Sequence, residues 1–439
     1  MSDPGSVPSF DEHHLDSEEH TVAKSNFRSP RKLRAFVSRG AWRSNAQLAV
    51  GQAFSLFGIF VAGLIVARQF GPQSYGRYAA AFALSSLTVG GATVGIPTLV
   101  LRRSSEGNLD HKVLRRALWI LIGFCAIALL GTAGISVLAL GGLKGMYASL
   151  AAGLFFSANS ISSLGQYVHA GRQNYSRAAL TNVVAGFLFP VFTYTALKFH
   201  SGVDGALLAI ALASAASSGI AWTRLPLLES DHESPPLKVR ESISFSFLGL
   251  VNAGYGRIDT VVLSIVAGSS AAGYYAASYR LLGPFDLLGL SFGIYYFSRV
   301  SAHNTDIERW SAVRTKGVRA FIAVSFIGVA ILLFITPQVI RLFYGPNFNQ
   351  SIGTARILML SVIPWSLYWL KRFDLASVHR ESWAAYAVGF GLLLDFFLVL
   401  VFGRYFGPDG AAWSWVISES AMYVTLWFMC RRITENIGN

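Results

Sequence analysis

The 439-residue chain is predicted to be an all-α polytopic membrane protein, with twelve transmembrane helices in two pseudo-symmetric six-helix bundles around a central cavity. Three observations predict this. Hydrophobic residues make up 53% of the chain and charged residues 13%, with a mean hydropathy of +0.47. An ordinary soluble domain is about 25% charged, and the deficit here runs the whole length. Twelve apolar runs approach the roughly 20 residues that a bilayer crossing needs. An internal repeat divides them six and six.

The elements follow in order. Residues 1–44 open as MSDPGSVPSFDEHHLDSEEH, too polar and acidic for a secretory signal peptide, then turn basic through Lys24, Arg28, Arg31, Lys32, Arg34, Arg39 and Arg43. They read as a cytosolic, largely disordered arm. Its basic part either sits against anionic lipid, at roughly 1 kcal/mol per charge, or serves only as a topogenic charge cluster. The first bundle (45–224) holds segments 46–67, 78–100, 117–140, 146–168, 178–198 and 205–223. A polar cytoplasmic linker (225–243) carries Pro235–Pro236. The second bundle (244–430) holds 244–267, 274–298, 318–340, 352–370, 383–403 and 410–430, and a cytoplasmic tail (431–439) closes the chain. The 42 glycines suit helices packed closely through small residues.

With the N-terminus inside, cytoplasmic segments hold 27 of the 36 Lys and Arg. Outside lie Arg68, Arg77, Lys144, Lys198, Arg341 and Arg404; Arg257, Arg280 and Arg356 lie within segments. That is the positive-inside distribution. It places both termini in the cytoplasm and makes the net charge of +13 topological, so nucleic acid is not implied as a partner. Cys125 and Cys430 form neither a disulfide framework nor a zinc spacing.

The repeat aligns FGPQSYGRYAAAFAL (70–84) without gaps on AGSSAAGYYAASYRL (267–281). Gly71, Gly76, Tyr78, Ala79, Ala80 and Leu84 fall on Gly268, Gly273, Tyr275, Ala276, Ala277 and Leu281. SGVDGA (201–206) likewise matches FGPDGA (406–411). Two matches in order point to one duplication. Six helices per half keep the same topology in both, so the symmetry axis runs along the membrane normal. In transporters, parallel repeats place the substrate path between the halves.

Charges inside the apolar runs cost about 2.5–3.5 kcal/mol each, and they are lopsided. The first six segments hold none well inside the run; the last six hold Arg257, Asp259, Arg280, Asp286, Arg356, Asp395 and Glu419 there. At about 1.5 Å per residue from the turn at 268–273, Asp259 lies ~12 Å and Arg257 ~15 Å down one helix. On the next, Arg280 lies ~9 Å and Asp286 ~18 Å down. Two readings stay open: Asp259–Arg280 and Arg257–Asp286 ion pairs locking a hairpin, or arginines facing a hydrated cavity and an anionic ligand. Arginine suits the second because its planar fork stays charged and grips phosphate oxygens in pairs. Asp395 and Glu419, ~12–14 Å below their helix ends, either share a proton or hold Na⁺ as a coupling site, or are singly hydrogen-bonded acids. His169 reads as a polar cap. The chain contains no phosphate-binding G-x-x-x-x-G-K-[ST], no H-E-x-x-H and no G-x-S-x-G, so no enzyme is expected.

ARQFGPQSYGRYAAAFAL (67–84), RIDTVVLSIVAGSSAAGYYAASYRLL (257–282) and LFYGPNFNQSIGTARILML (342–360) resemble the polysaccharide flippases of the multidrug/oligosaccharidyl-lipid/polysaccharide exporter superfamily. The resemblance spans nearly all of the chain beyond residue 44. It implies a bacterial inner-membrane protein that moves a polyprenyl-diphosphate-linked glycan from the cytoplasmic to the outer leaflet, for lipopolysaccharide or exopolysaccharide assembly. Two bundles would rock around a cationic cavity lined by Arg257, Asp259 and Arg280, with Asp286 and Arg356 as secondary candidates. Membrane lipids, a glycan polymerase and export proteins are the implied partners, and H⁺ or Na⁺ coupling takes the place of a cofactor. Related lipid II flippases place several arginines in the first bundle, where this chain has none, and carry two further helices. The competing readings are a drug/cation antiporter of the same superfamily, a lipid II flippase, a membrane glycan polymerase and a non-transporting scaffold.

Overall fold

A computed structural model describes residues 39–93, 95–107, 109–226, 250, 253–285, 288–289, 292, 296, 307–377 and 381–437. The linker and Asp286 lie outside them. In lipid every backbone N–H and C=O must be satisfied within its own segment, which leaves helices as the form for apolar runs of this length. Twelve follow in order: α1 (39–70), α2 (72–105), α3 (His111–Ala139), α4 (Leu143–Gly171), α5 (Tyr175–Lys198) and α6 (Gly202–Trp222) in the first half. The second half has α7 (Ile258–Val266), α8 (Gly268–Tyr279), α9 (Ile307–Phe343), α10 (351–377), α11 (Glu381–Leu398) and α12 (408–437). Leu130, Leu138 and Phe334 are 75%, 90% and 79% exposed, an outer surface that lipid tolerates and water does not. The chain is a multi-pass membrane protein with the predicted all-α, two-bundle fold.

Two helices overrun their expected ends. α1 begins at Arg39, inside the segment expected to be a disordered arm, and α12 continues to Ile437 through the expected tail. A helix leaving the bilayer continues into water until a breaker stops it, and neither flank contains proline.

All six turns at one end of the bundle pivot on a glycine of positive φ: Gly71 (72°), Gly142 (74°), Gly202 (66°), Gly268 (87°), Gly345 (89°) and Gly407 (59°). A side chain would be strained in that conformation. Pro72, Pro346 and Pro408 follow three of them, at the helix start where the missing N–H costs nothing. Gly71/Gly268 and Gly202/Gly407 are the repeated positions of the sequence, and Gly142/Gly345 adds a third equivalent pair. This end is called the glycine end below.

The first bundle is held by close backbone approach. Gly51 and Gly58 of α1 lie seven residues apart, as do Ala179 and Gly186 of α5. A Cβ on Gly58 would overlap the Gly186 carbonyl, and one on Gly51 would come to 2.8 Å from Ala179. Hydroxyl pairs tie the neighbouring helices, Thr88 to Thr132 and Thr93 to Ser160, each at 2.6 Å. Thr88 lies within a π-bulge at Ser86–Gly90, and Thr93 follows it.

The halves meet at the glycine end in a two-fold manner. A Cβ on Gly76 would overlap the Ser269 carbonyl oxygen, and one on Gly273 would overlap the Pro72 carbonyl oxygen. Pro72 and Ser269 are themselves equivalent in the repeat. Around this contact Tyr75 packs edge-on against Tyr344 and Phe348 at 5.9 and 5.8 Å, and Phe60 against Phe343 at 6.1 Å. Arg68 donates to the Phe343 carbonyl at 2.7 Å.

A side chain at either central glycine forces this end apart. With overpacking costing about 1–3 kcal/mol and 1.4 kcal/mol equal to tenfold, Gly76→Leu should raise labelling of an S269C thiol by a membrane-impermeant maleimide about tenfold. Unchanged labelling would show that the contact does not hold this end closed.

Candidate functional site

The segment leading into α7 is not continuous helix. Tyr255, Gly256 and Arg257 form a turn, with Gly256 at φ 74°, and Arg257 stands at the N-cap of α7. Unwound helix at membrane depth is tolerated where it lines protein or a hydrated cavity. Arg257 is exposed, yet its guanidinium lies over the Phe82 ring of the first half, 5.8 Å from the centroid. Its guanidinium thus rests on the opposite bundle, at the seam between the halves.

Phe82 belongs to a ladder on α2. Tyr75, Tyr78 and Phe82 fall at i, i+3 and i+7, one face of a helix. Their rings stack at 6.1 Å with interplanar angles of 12° and 13°. Arg280, in the short 3₁₀ turn after α8, reaches across to the other end of this ladder, 5.4 Å from the Tyr75 centroid. Gly63 leaves it room: a Cβ there would overlap the guanidinium. The hydroxyls of Tyr78 and Tyr344 lie beside it. Among the described residues Arg280 Nη1 and the hydroxyls of Tyr75, Tyr78 and Tyr344 are buried without a formed hydrogen bond. Arg257 and Arg280 are also within electrostatic range of each other.

Asp259 is fully buried. It accepts from the Thr260 amide at 2.6 Å, from the Thr260 hydroxyl at 3.4 Å, and from the Tyr275 hydroxyl. The expected Asp259–Arg280 ion pair is therefore not formed. Matched depth put the two charges at one height, but Arg280 points across to the first bundle while Asp259 turns to Tyr275 within its own. The expected Arg257–Asp286 pair involves a residue outside the described ones. Arg356 lies on an exposed face of α10, apart from the buried charges.

Asp395 on α11 and Glu419 on α12 are 2% and 0% exposed and act on each other electrostatically. Asp259 joins them: it is the other carboxylate acting on Asp395. Among the described residues both Asp395 oxygens lack a formed hydrogen bond, and Glu419 accepts from the Tyr255 hydroxyl. His169 is buried at the end of α4. The sequence reading missed the Tyr75–Tyr78–Phe82 ladder and the break at Gly256. Ring spacing on one helical face and the doublet Gly254/Gly256 were the signals.

A cation stacked on a ring uses the face of the guanidinium, which leaves the in-plane N–H fork free. Two such forks, which form no ion pair among the described residues, can take the oxygens of an anion in pairs where the bundles face each other.

Residues 65–353 match the family described as polysaccharide biosynthesis proteins. No curated protein matches the chain. Among solved structures, the chain is similar to the inward-facing conformation of a multidrug resistance MATE family transporter of the MOP superfamily. The TM-score is 0.71 at 16% identity, over 89% of this chain and 98% of that one. The lipid II flippase MurJ in an inward closed conformation gives 0.68 at 14% identity, over 88% and 87%. A MOP superfamily transporter from Pyrococcus furiosus, whose binding pocket has reverse polarity, gives 0.62 at 15% identity, over 90% and 95%.

Removing the Tyr275 hydroxyl leaves a buried carboxylate short of a donor, at about 1.5–3 kcal/mol for a bond to a charged group. Tyr275→Phe should lower the melting temperature in detergent. In an Asp259→Asn background the same substitution should cost less than half as much; equal costs would show that the bond to Asp259 is not what Tyr275 supplies.

Proposed function

Because the chain belongs to the polysaccharide biosynthesis family, we propose that it is a flippase for a polyprenyl-diphosphate-linked oligosaccharide. It carries the headgroup from the cytoplasmic to the outer leaflet of a bacterial inner membrane by alternating access. The observation that carries this reading is the pair Arg257 and Arg280, two arginines that form no ion pair among the described residues and reach the other bundle across an aromatic ladder. A sugar headgroup cannot enter hydrocarbon without losing the water on its hydroxyls. A hydrated cleft between bundles removes that barrier while the prenyl tail stays in lipid.

In this mechanism the diphosphate displaces the arginines from their rings and binds their free forks. The glycine end faces outward, following the excess of Lys and Arg on the other side and placing both termini in the cytoplasm. Its two-fold contact closes the outer exit while the cleft loads, and its separation releases the headgroup. Surface-polysaccharide assembly, through a polymerase and export proteins, consumes the product.

Direction is supplied by the buried carboxylates. Asp395, with Glu419 and Asp259 beside it, takes up H⁺ or Na⁺, because like charges this close favour a bound cation or proton. Neutralising them relaxes their repulsion within the second bundle, two residues from Arg257.

Reconstituted vesicles carrying a fluorescent undecaprenyl-diphosphate oligosaccharide test the whole reading. Wild type should expose the glycan to an external lectin, and Arg257→Ala with Arg280→Ala should slow this about 10–100-fold, at 1.5–3 kcal/mol per charge-assisted bond. Equal rates would sink the proposed site. Separate H⁺ and Na⁺ gradients identify the coupling ion, and Asp395→Asn should abolish the response to whichever one drives wild type; a response left intact would remove Asp395 from coupling.

A further inference from the structure

A cavity of about 240 Å³ lies inside the second half, among α8, α10, α12 and the turn before α7. Drug-sized ligands occupy pockets of about 300–1,000 Å³, so this one is the size of a single ring rather than an extended molecule. Its walls are aromatic: Tyr279, Trp365, Tyr368, Trp369 and Trp415 all face it, with Arg372 at its edge. Trp365, Tyr368, Trp369 and Arg372 stand at i, i+3, i+4 and i+7 of α10, one face of a helix.

Its polar groups are placed for a ligand. The Tyr368 side chain is 3% exposed, and its hydroxyl has no formed hydrogen bond among the described residues. Arg372 is exposed, with its guanidinium over the Trp369 ring at 5.2 Å and within hydrogen-bonding reach of the Tyr368 hydroxyl. A buried hydroxyl beside a guanidinium gives the aromatic wall a polar edge that apolar packing alone does not need.

The cavity also adjoins the arginine cleft. Tyr279 lines it, stacks on Tyr275 at 6.1 Å, and sets its hydroxyl against Gly256, the residue before Arg257. Trp415 packs edge-on against Tyr279 at 5.4 Å.

We propose that this cavity is a monosaccharide subsite, which binds the hexopyranose nearest the diphosphate while Arg257 and Arg280 hold the phosphates. A pyranose presents an apolar face of C–H groups and an edge of hydroxyls. The Trp and Tyr rings match the face, and the Tyr368 hydroxyl and Arg372 fork match the edge. The sugar attached to a diphosphate must lie beside it, and the cavity's Tyr255 and Tyr279 flank the turn that carries Arg257. This subsite rests on the flippase reading and adds to it a site of sugar recognition within one bundle.

Calorimetric titration of the full chain in detergent separates the two ideas. The probes are farnesyl diphosphate and its conjugates to glucose, galactose and N-acetylglucosamine. At least one conjugate should bind about tenfold tighter than the bare lipid, the step that 1.4 kcal/mol gives. Trp369→Ala and Tyr368→Phe should each remove most of that advantage without changing the bare lipid's affinity, and Trp369→Phe should keep it. If no conjugate gains over the bare lipid, or the gain survives Trp369→Ala, the sugar subsite is wrong while the diphosphate site stands. If the bare lipid fails to bind, or binds Arg257→Ala with Arg280→Ala as tightly as wild type, both fall together.

Discussion

The functional architecture rests on two guanidinium groups of one half set against aromatic faces of the other. A cation over a ring is held by about 0.5–2 kcal/mol, far less than an ion pair in a low-dielectric interior would provide. That weakness is useful. A tightly paired arginine would answer to its carboxylate, whereas a stacked one remains open to an incoming anion. The ladder of Tyr75, Tyr78 and Phe82 belongs to one half and the arginines to the other, so the same contacts join the bundles and yield to whatever enters between them.

Duplication explains why such a ladder was at hand. Tyr78 and Phe82 fall on Tyr275 and Tyr279 in the repeat, and both pairs stack at 6.1 Å. In the first half the repeated tyrosine lies beside the cation Arg280; in the second it donates to the anion Asp259. One inherited scaffold thus meets opposite charges on its two sides. The halves have diverged in what surrounds the frame, while the frame itself has stayed.

Much of the fold was legible because its causes are local. Apolar run length sets where helices can stand, and positive-φ glycines such as Gly71 and Gly268 leave a residue type that nothing else replaces. Gly142 and Gly345 were harder to pair, since LGGLKG and FYGPNF share little beyond the glycine itself. The site was legible only in part. Residue rise gives the height of a charge and says nothing of its azimuth, so Asp259 and Arg280 looked like partners until their helices were seen to face different neighbours. The bend at Gly256 was hidden by the apolar residues on either side, which satisfy the length of a span whether or not the helix is unbroken.

The contact at the glycine end has a meaning beyond closure. Gly76 meets the Ser269 carbonyl as Gly273 meets the Pro72 carbonyl, each residue touching the counterpart of its own neighbour. That exchange is the mark of an isologous interface, the self-complementary patch by which two identical subunits pair about a two-fold axis. The chain carries inside itself the seam of a homodimer. Its six-helix half is the unit that once could be doubled by association, and fusion into one polypeptide freed each copy to acquire charges the other never needed.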